Sequence, residues 1–316
     1  MSLSRLRPSL SRLLAGAALT LLAGCASVNK VAVNKLGDAL ANGGTVFASD
    51  NDPELIRDAA PFSLKLMESL LAESPGHAGL LAAAAGGFTQ YGYAFVQQEA
   101  DELEATDVAG ASARRVRARG LYLRGRDYGL RGLEVAHPGL TAALRRDART
   151  ALAVCRKEDV RLLYWTAAAW GAAIAATKDD PELIGDLPVV AALIDRAAVL
   201  DETWDAGAIH GFLIPFTLSR HDLEGDPVAR ARVHFERAVE LSDGRQAGPF
   251  VSYAEAVCIQ QQDRAQFEQL LRRALAINPD ERPEWRLVNL IMQRRARWLL
   301  GRIDDLFLPP EPPASP

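Results

Sequence analysis

Cysteine is scarce in this chain of 316 residues: Cys25, Cys155 and Cys258 are all it has. Three thiols so far apart make neither a disulfide framework nor a metal-ligand spacing. Cys155 and Cys258 are expected as buried free thiols. The five histidines are as thinly spread. His77 and His137 fall in Ser-Pro-Gly-His and His-Pro-Gly turns, His210 in an apolar helix with its ring towards the core, and His221 at that helix's end. His234 is the fifth. None has a histidine four residues away or a neighbouring cysteine, so neither a metal nor a cofactor is expected. The chain also lacks a G-x-S-x-G elbow, a Walker loop and a dinucleotide fingerprint. Acid pairs such as Asp101-Glu102 and Asp304-Asp305 fall on polar stretches expected to be exposed, whereas acid–base catalysis needs enclosed carboxylates. These absences argue against an enzyme.

The first 25 residues carry a clear signal. Arg5, Arg7 and Arg12 make a basic leader, Leu13 to Leu22 a short apolar run, and Leu22-Ala23-Gly24-Cys25 a lipobox. The run is too short for a stable membrane anchor and reads as a targeting segment. Cleavage before Cys25 leaves a lipidated N-terminus. Ala26 and Ser27 follow, with no aspartate to retain the protein at the inner membrane, so the expected location is the periplasmic face of the outer membrane. The chain divides into a signal peptide (1–24), a lipidated tether (25–46), a helical-repeat domain (47–308) and a disordered Pro-rich tail (309–316). With 49% hydrophobic and 24% charged residues the whole chain has a composition ordinary for a globular protein. Without the three leader arginines, 33 basic against 40 acidic residues leave a net charge of −7. That balance gives no footprint for nucleic acid.

No stretch alternates with the period of a strand, and Ala, Leu and Arg recur with helical spacing. The expected fold is all-α. Asp52-Pro53-Glu54-Leu55-Ile56 returns as Asp180-Pro181-Glu182-Leu183-Ile184, 128 residues later, each with an acidic cap before proline at the first helical position. The same interval aligns Leu71 with Val199, Gly79 with Gly207 and Phe88 with Phe216, so a helix pair is repeated. Arg237 to Leu241 and Arg273 to Ile277 close two further similar helices. Apolar helices begin near Gly79, Arg161, Asp205, Gly248 and Glu284, at gaps of 82, 44, 43 and 36 residues. The first gap leaves room for one divergent copy. Helix pairs at such periods predict a single-domain, tetratricopeptide-like solenoid.

Two inner helices are apolar all round, Leu80 to Val96 and Leu162 to Ala176, and must be enclosed by others. Small residues beside aromatics there fit either close packing or a cavity with aromatic walls. In Leu121 to Glu134, Arg124, Asp127, Arg131 and Glu134 share one side of a helix. Tyr122, Gly125, Gly129, Leu130 and Leu133 share the other, with Arg126 in the middle of that apolar arc. An inward guanidinium needs a carboxylate on a facing helix or an anionic ligand. The three glycines of this face, Gly125, Gly129 and Gly132, predict a close helix approach.

The lipobox, the Asp-Pro-Glu-Leu helix, Leu121 to Tyr128 and the Trp170-Gly171 helix together resemble the TatT family. So do Arg286-Leu287-Val288-Asn289 and Arg297-Trp298-Leu299-Leu300. TatT proteins are T components associated with tripartite ATP-independent periplasmic (TRAP) transporters, and the resemblance runs from about Val46 to Leu306. It implies a periplasmic lipoprotein with cryptic tetratricopeptide repeats, a homotrimer, a TRAP-type periplasmic solute-binding protein as partner, and clefts that admit a small organic ligand. Tyr122, Arg126, Tyr128, Trp165 and Trp170 are the candidate lining. Arg126 would hold a carboxylate and the rings would cover its apolar part. The competing reading is a scaffold lipoprotein for envelope assembly that binds no solute.

Overall fold

Aspartate and proline mark the helix starts as the sequence requires. Asp52 accepts hydrogen bonds from the backbone N–H groups of Glu54 and Leu55, and Asp180 from that of Leu183. Each satisfies donors that a helix leaves open at its first turn. The computed structural model describes residues 33–177 and 180–309. The leader, Cys25 and the tail beyond Pro309 lie outside them.

All described secondary structure is helical. Helix α1 spans Pro53–Glu73. Helix α2 starts at Ala78–Tyr91, passes through a π-turn at Gly92–Gln97 and continues as Gln98–Leu103. Then come α3, Val108–Ala136, α4, Val160–Ala175, and α5, Leu187–Asp201. Helices α6 and α7 are Ala208–Phe216 and Pro227–Leu241. Helix α8, Ala247–Tyr253, runs into a second π-turn at Ala254–Cys258. Arg264–Ala276 and Arg286–Gly301 are α9 and α10.

Packing follows one rule. The even helices form an inner row in which α2 touches α4, α4 touches α6, α6 touches α8 and α8 touches α10. Each odd helix from α3 to α9 lies between two of them. The five apolar helices foreseen in the sequence are this inner row. The repeated pentapeptide opens α1 in one copy and the turn Pro181–Ile184 before α5 in the other. Phe88 and Phe216, equivalent under the same interval, are both buried on the inner row. The wide first gap holds no further inner helix among the described residues. It is filled by the extension of α2, the 29 residues of α3 and the turns Leu140–Leu144 and Ala148–Ala151.

Helix α3 carries the glycine face into the closest packing of the molecule. A Cβ on Gly129 would lie 2.2 Å from the Thr166 hydroxyl on α4, and one on Gly125 2.7 Å from the Thr89 hydroxyl on α2. The glycines let α3 sink between both neighbours, and Tyr122 and Leu133 are wholly enclosed there. Burying side chains of that size contributes about 1.5–3 kcal/mol each.

The expected tether is structured where it is described. Residues 33–42 are helical and Ala41 is buried. Asn34 accepts hydrogen bonds at the turn between α1 and α2, from the Ser74 hydroxyl on its side-chain oxygen at 2.8 Å. The two cysteines of the body lie in separate hydrophobic clusters and are unpaired. Among the described residues, no helix is long and apolar enough to cross a membrane.

The array also closes on itself. Helix α10 packs against Gly44–Ala48 and against α1. Arg286 donates to the Ser49 carbonyl at 2.8 Å, and Arg294 donates to the Ala94 carbonyl at 3.3 Å.

Candidate functional site

Three helices leave a groove where α1, α2 and α3 meet. Pro61, inside α1, lines it and has no backbone N–H to give the preceding turn. The groove encloses roughly 400 Å³. Leu64, Phe88, Tyr91 and Leu121 make its apolar wall, and Lys65, Arg117 and Arg124 stand over it. The Arg124 guanidinium lies 5.4 Å from the Phe88 ring centre and that of Arg117 6.0 Å from Tyr91. Glu68 is the carboxylate of this neighbourhood, 2.5 Å from Lys65 and 3.8 Å from Arg124. Its pKa is lowered: burial raises it, but bonds from Lys65 and Tyr128 and the charge of Arg124 outweigh that. Three cations against one carboxylate over an aromatic floor suit an anion with an apolar body.

The candidate residues of the sequence reading fall in four places. Tyr128 lies behind the floor of the groove, stacked on Phe88 with ring centres 5.8 Å apart and planes 13° apart. Its hydroxyl donates to Glu68 at 3.0 Å, and burial together with that carboxylate pushes the phenol up to about 12. Tyr122 is buried on the opposite side of α3, donating to the Gln97 side chain at 2.5 Å. Arg126 and Trp170 do meet, with the guanidinium 5.2 Å from the ring. The partner of Arg126 is its own neighbour Asp127, at 2.8 Å, and not a carboxylate of a facing helix. The indole N–H of Trp170 donates to Asp186. Trp165 belongs elsewhere, beside Gly86 and edge-on to Tyr164 at 4.9 Å and Trp204 at 6.5 Å. The five side chains therefore do not surround one space.

A polar junction that the sequence did not announce lies between the two π-turns. The first turn carries Tyr93 and leads into Gln98 and Asp101, and the second carries Glu255. Arg295 of α10, 6% exposed, reaches both, pairing with Glu255 through two nitrogens and with Asp101 at 3.0 Å. Its guanidinium also covers Trp298 at 4.3 Å. Burial raises the pKa of Asp101, with Arg295 opposing and Glu255 assisting. Asp101, expected in the open, is thus part of an internal ion-pair network. The side chain of Gln98 is fully buried here, beside the Tyr93 hydroxyl. A π-turn inserts one extra residue into a helix and is often found at functional positions. Neither turn interrupts the hydrophobic pattern enough to be read from sequence.

Comparison with known proteins bears on the whole of this architecture. Residues 49–307 match the model of the TRAP transporter T-component family. The chain is also similar to an uncharacterized protein of Treponema pallidum (strain Nichols), with 32% identity over 267 residues covering 83% of each chain.

Proposed function

The chain belongs to the TRAP transporter T-component family, and we propose that it is the lipid-anchored, periplasmic member of such a system, docking a TRAP-type solute-binding protein. Membership gives it an accessory role in TRAP transport, and the family is one of transport components, not of enzymes. In this reading Cys25 carries the lipid at the periplasmic face of the outer membrane. The protein acts as a homotrimer and holds a small amphipathic carboxylate on the way to or from its partner.

The observation that carries the ligand part is the groove of α1, α2 and α3. Leu64, Phe88, Tyr91 and Leu121 form an apolar wall for the body of such a ligand, while Arg117 and Arg124 stand within reach of a carboxylate at its mouth. Arg126 with Trp170 lies on another side of α3 and is a secondary contact in the same proposal.

Capture from periplasmic extract tests the partner. Recovery of a TRAP-type solute-binding protein is expected. Recovery of envelope-assembly proteins without one moves the role to that of a scaffold. Native mass spectrometry of the fresh protein tests the ligand: a bound organic acid is expected, reduced in Arg117→Ala/Arg124→Ala. An equal load in a folded double variant removes the groove from the proposal.

A further inference from the structure

The end of α3 and the start of α4 bring together three side chains that the groove and the polar junction do not use. His137 caps the C-terminus of α3, Asp159 precedes α4, and Cys155 lies in the strap between them. Their ligand atoms, one imidazole nitrogen, one carboxylate oxygen and the thiol sulfur, all lie within 4.8 Å of one another. His137 Nε2 and Asp159 Oδ2 are 2.8 Å apart. Cys155 is 1% exposed and Asp159 8%, while the His137 ring keeps an edge to solvent.

We propose that His137, Cys155 and Asp159 form a binding site for a zinc-class divalent cation, with a fourth position open to water or a small ligand. The donor set selects the cation. Thiolate and imidazole favour zinc and its neighbours, whereas magnesium and calcium require oxygen ligands throughout. Zinc bonds of about 2.0–2.3 Å in a tetrahedron separate ligand atoms by about 3.3–3.8 Å. The His137–Asp159 pair must open slightly and the sulfur close in by about 1 Å. A rotation of the imidazole and a small shift of the carboxylate supply both.

Each ligand-bearing position is already held by its surroundings, as metal ligands are. The Asp159 carboxylate accepts the Arg156 backbone N–H at 2.8 Å. Arg196 on α5 donates to the carbonyls of Ala153 and Cys155, at 3.1 and 2.6 Å, and fixes the strap. Glu134 accepts from the backbone N–H groups of Gly139 and Thr141, at 2.5 and 2.9 Å, and fixes the turn that follows His137. On binding, the Cys155 thiol gives its proton to solvent, the sulfur forms the metal bond, and no redox change is involved. A cation there would tie α3, the strap and α4 into one unit.

The sequence hides this set because its members lie 18 and 4 residues apart with no repeating spacing. Only the return of the chain from α3 to α4 assembles them.

Cobalt(II) is the probe, added to the purified, metal-stripped protein. One equivalent is expected to give tetrahedral visible bands and a thiolate-to-cobalt charge-transfer band in the near ultraviolet, displaced by one equivalent of zinc. Cys155→Ser removes the charge-transfer band, and His137→Gln weakens binding at least about 10-fold. Cys258→Ser, whose sulfur lies in the other cluster, leaves the spectrum unchanged. Circular dichroism confirms that each variant is folded. Absence of a thiolate band in the wild-type protein, or a spectrum unchanged in folded Cys155→Ser, overturns the proposal.

Discussion

At the residue scale, the most informative pair is one that sequence spacing could not join. His210 on α6 and His234 on α7 approach Nδ1 to Nδ1 at 3.0 Å, which requires one ring to donate and the other to accept. Two protonated rings cannot share that contact. Glu202 and Arg237 stand near His210, and Asp195, Arg220 and Arg230 near His234. Burial, then the neighbouring His210, holds His234 down to about 4, and burial lowers His210 as well. An unfolded histidine titrates near 6.5. Between those values the unfolded chain binds protons that the folded one refuses, so stability is complete above about pH 6.5 and falls as pH drops towards 4. Urea midpoints from pH 7.5 to 5 should decline, and His234→Gln, with no proton to gain, should flatten the decline. Parallel curves would show that this contact does not control it. Sequence alone did place His210 on an inner face. It misjudged Arg126 and Asp101 because a helical wheel gives the direction of Cβ only. A long guanidinium can turn back to its own neighbour, and a short carboxylate can be met by an arginine from far along the chain.

At the element scale, helix order and the inner row were legible because caps and all-round apolar stretches are local signals. The glycine face of α3 was legible too, and it sets a quantitative test. Gly129 faces Thr166 with no room for a methyl group, since the contact includes backbone as well as side chain. Gly129→Ala should therefore destabilise the protein by about 1–3 kcal/mol through overpacking. Gly120, on the same helix, has nothing within 4 Å of its Cβ position. There alanine should stabilise by roughly 0.5–1 kcal/mol, the helix-propensity difference alone. Thermal unfolding of the two variants should shift in opposite directions, and a shift of the same sign in both would contradict the packing described. The π-turns were not legible. An added residue rotates the helix by about 100°, yet the small and aromatic residues around Gly92 to Gln97 look apolar at either phase.

At the scale of the whole molecule, closure changes how a repeat array should behave. In an open array each pair leans only on its neighbours and the ends fray first. Here α10, the last helix of the inner row, packs on α1 and on Gly44–Ala48, and Arg295 joins α2 to α8 through Asp101 and Glu255. The first and last pairs should then be as protected as the middle ones. Hydrogen exchange should find slow amides in α10 comparable to those of α4. Arg295→Met removes the cation and leaves two carboxylates facing each other in a largely enclosed site, a loss on the order of 3–5 kcal/mol when a buried pair is broken. Part of that loss is recovered as Asp101, whose pKa burial already raises, takes up a proton. The variant should expose α10 and the Gln98–Leu103 end of α2 to exchange together, while α4 and α5 keep their protection. Uniform acceleration of every helix would mean that the ring unfolds as one unit, and Arg295 would then be a general stabiliser with no special part in holding the ends together.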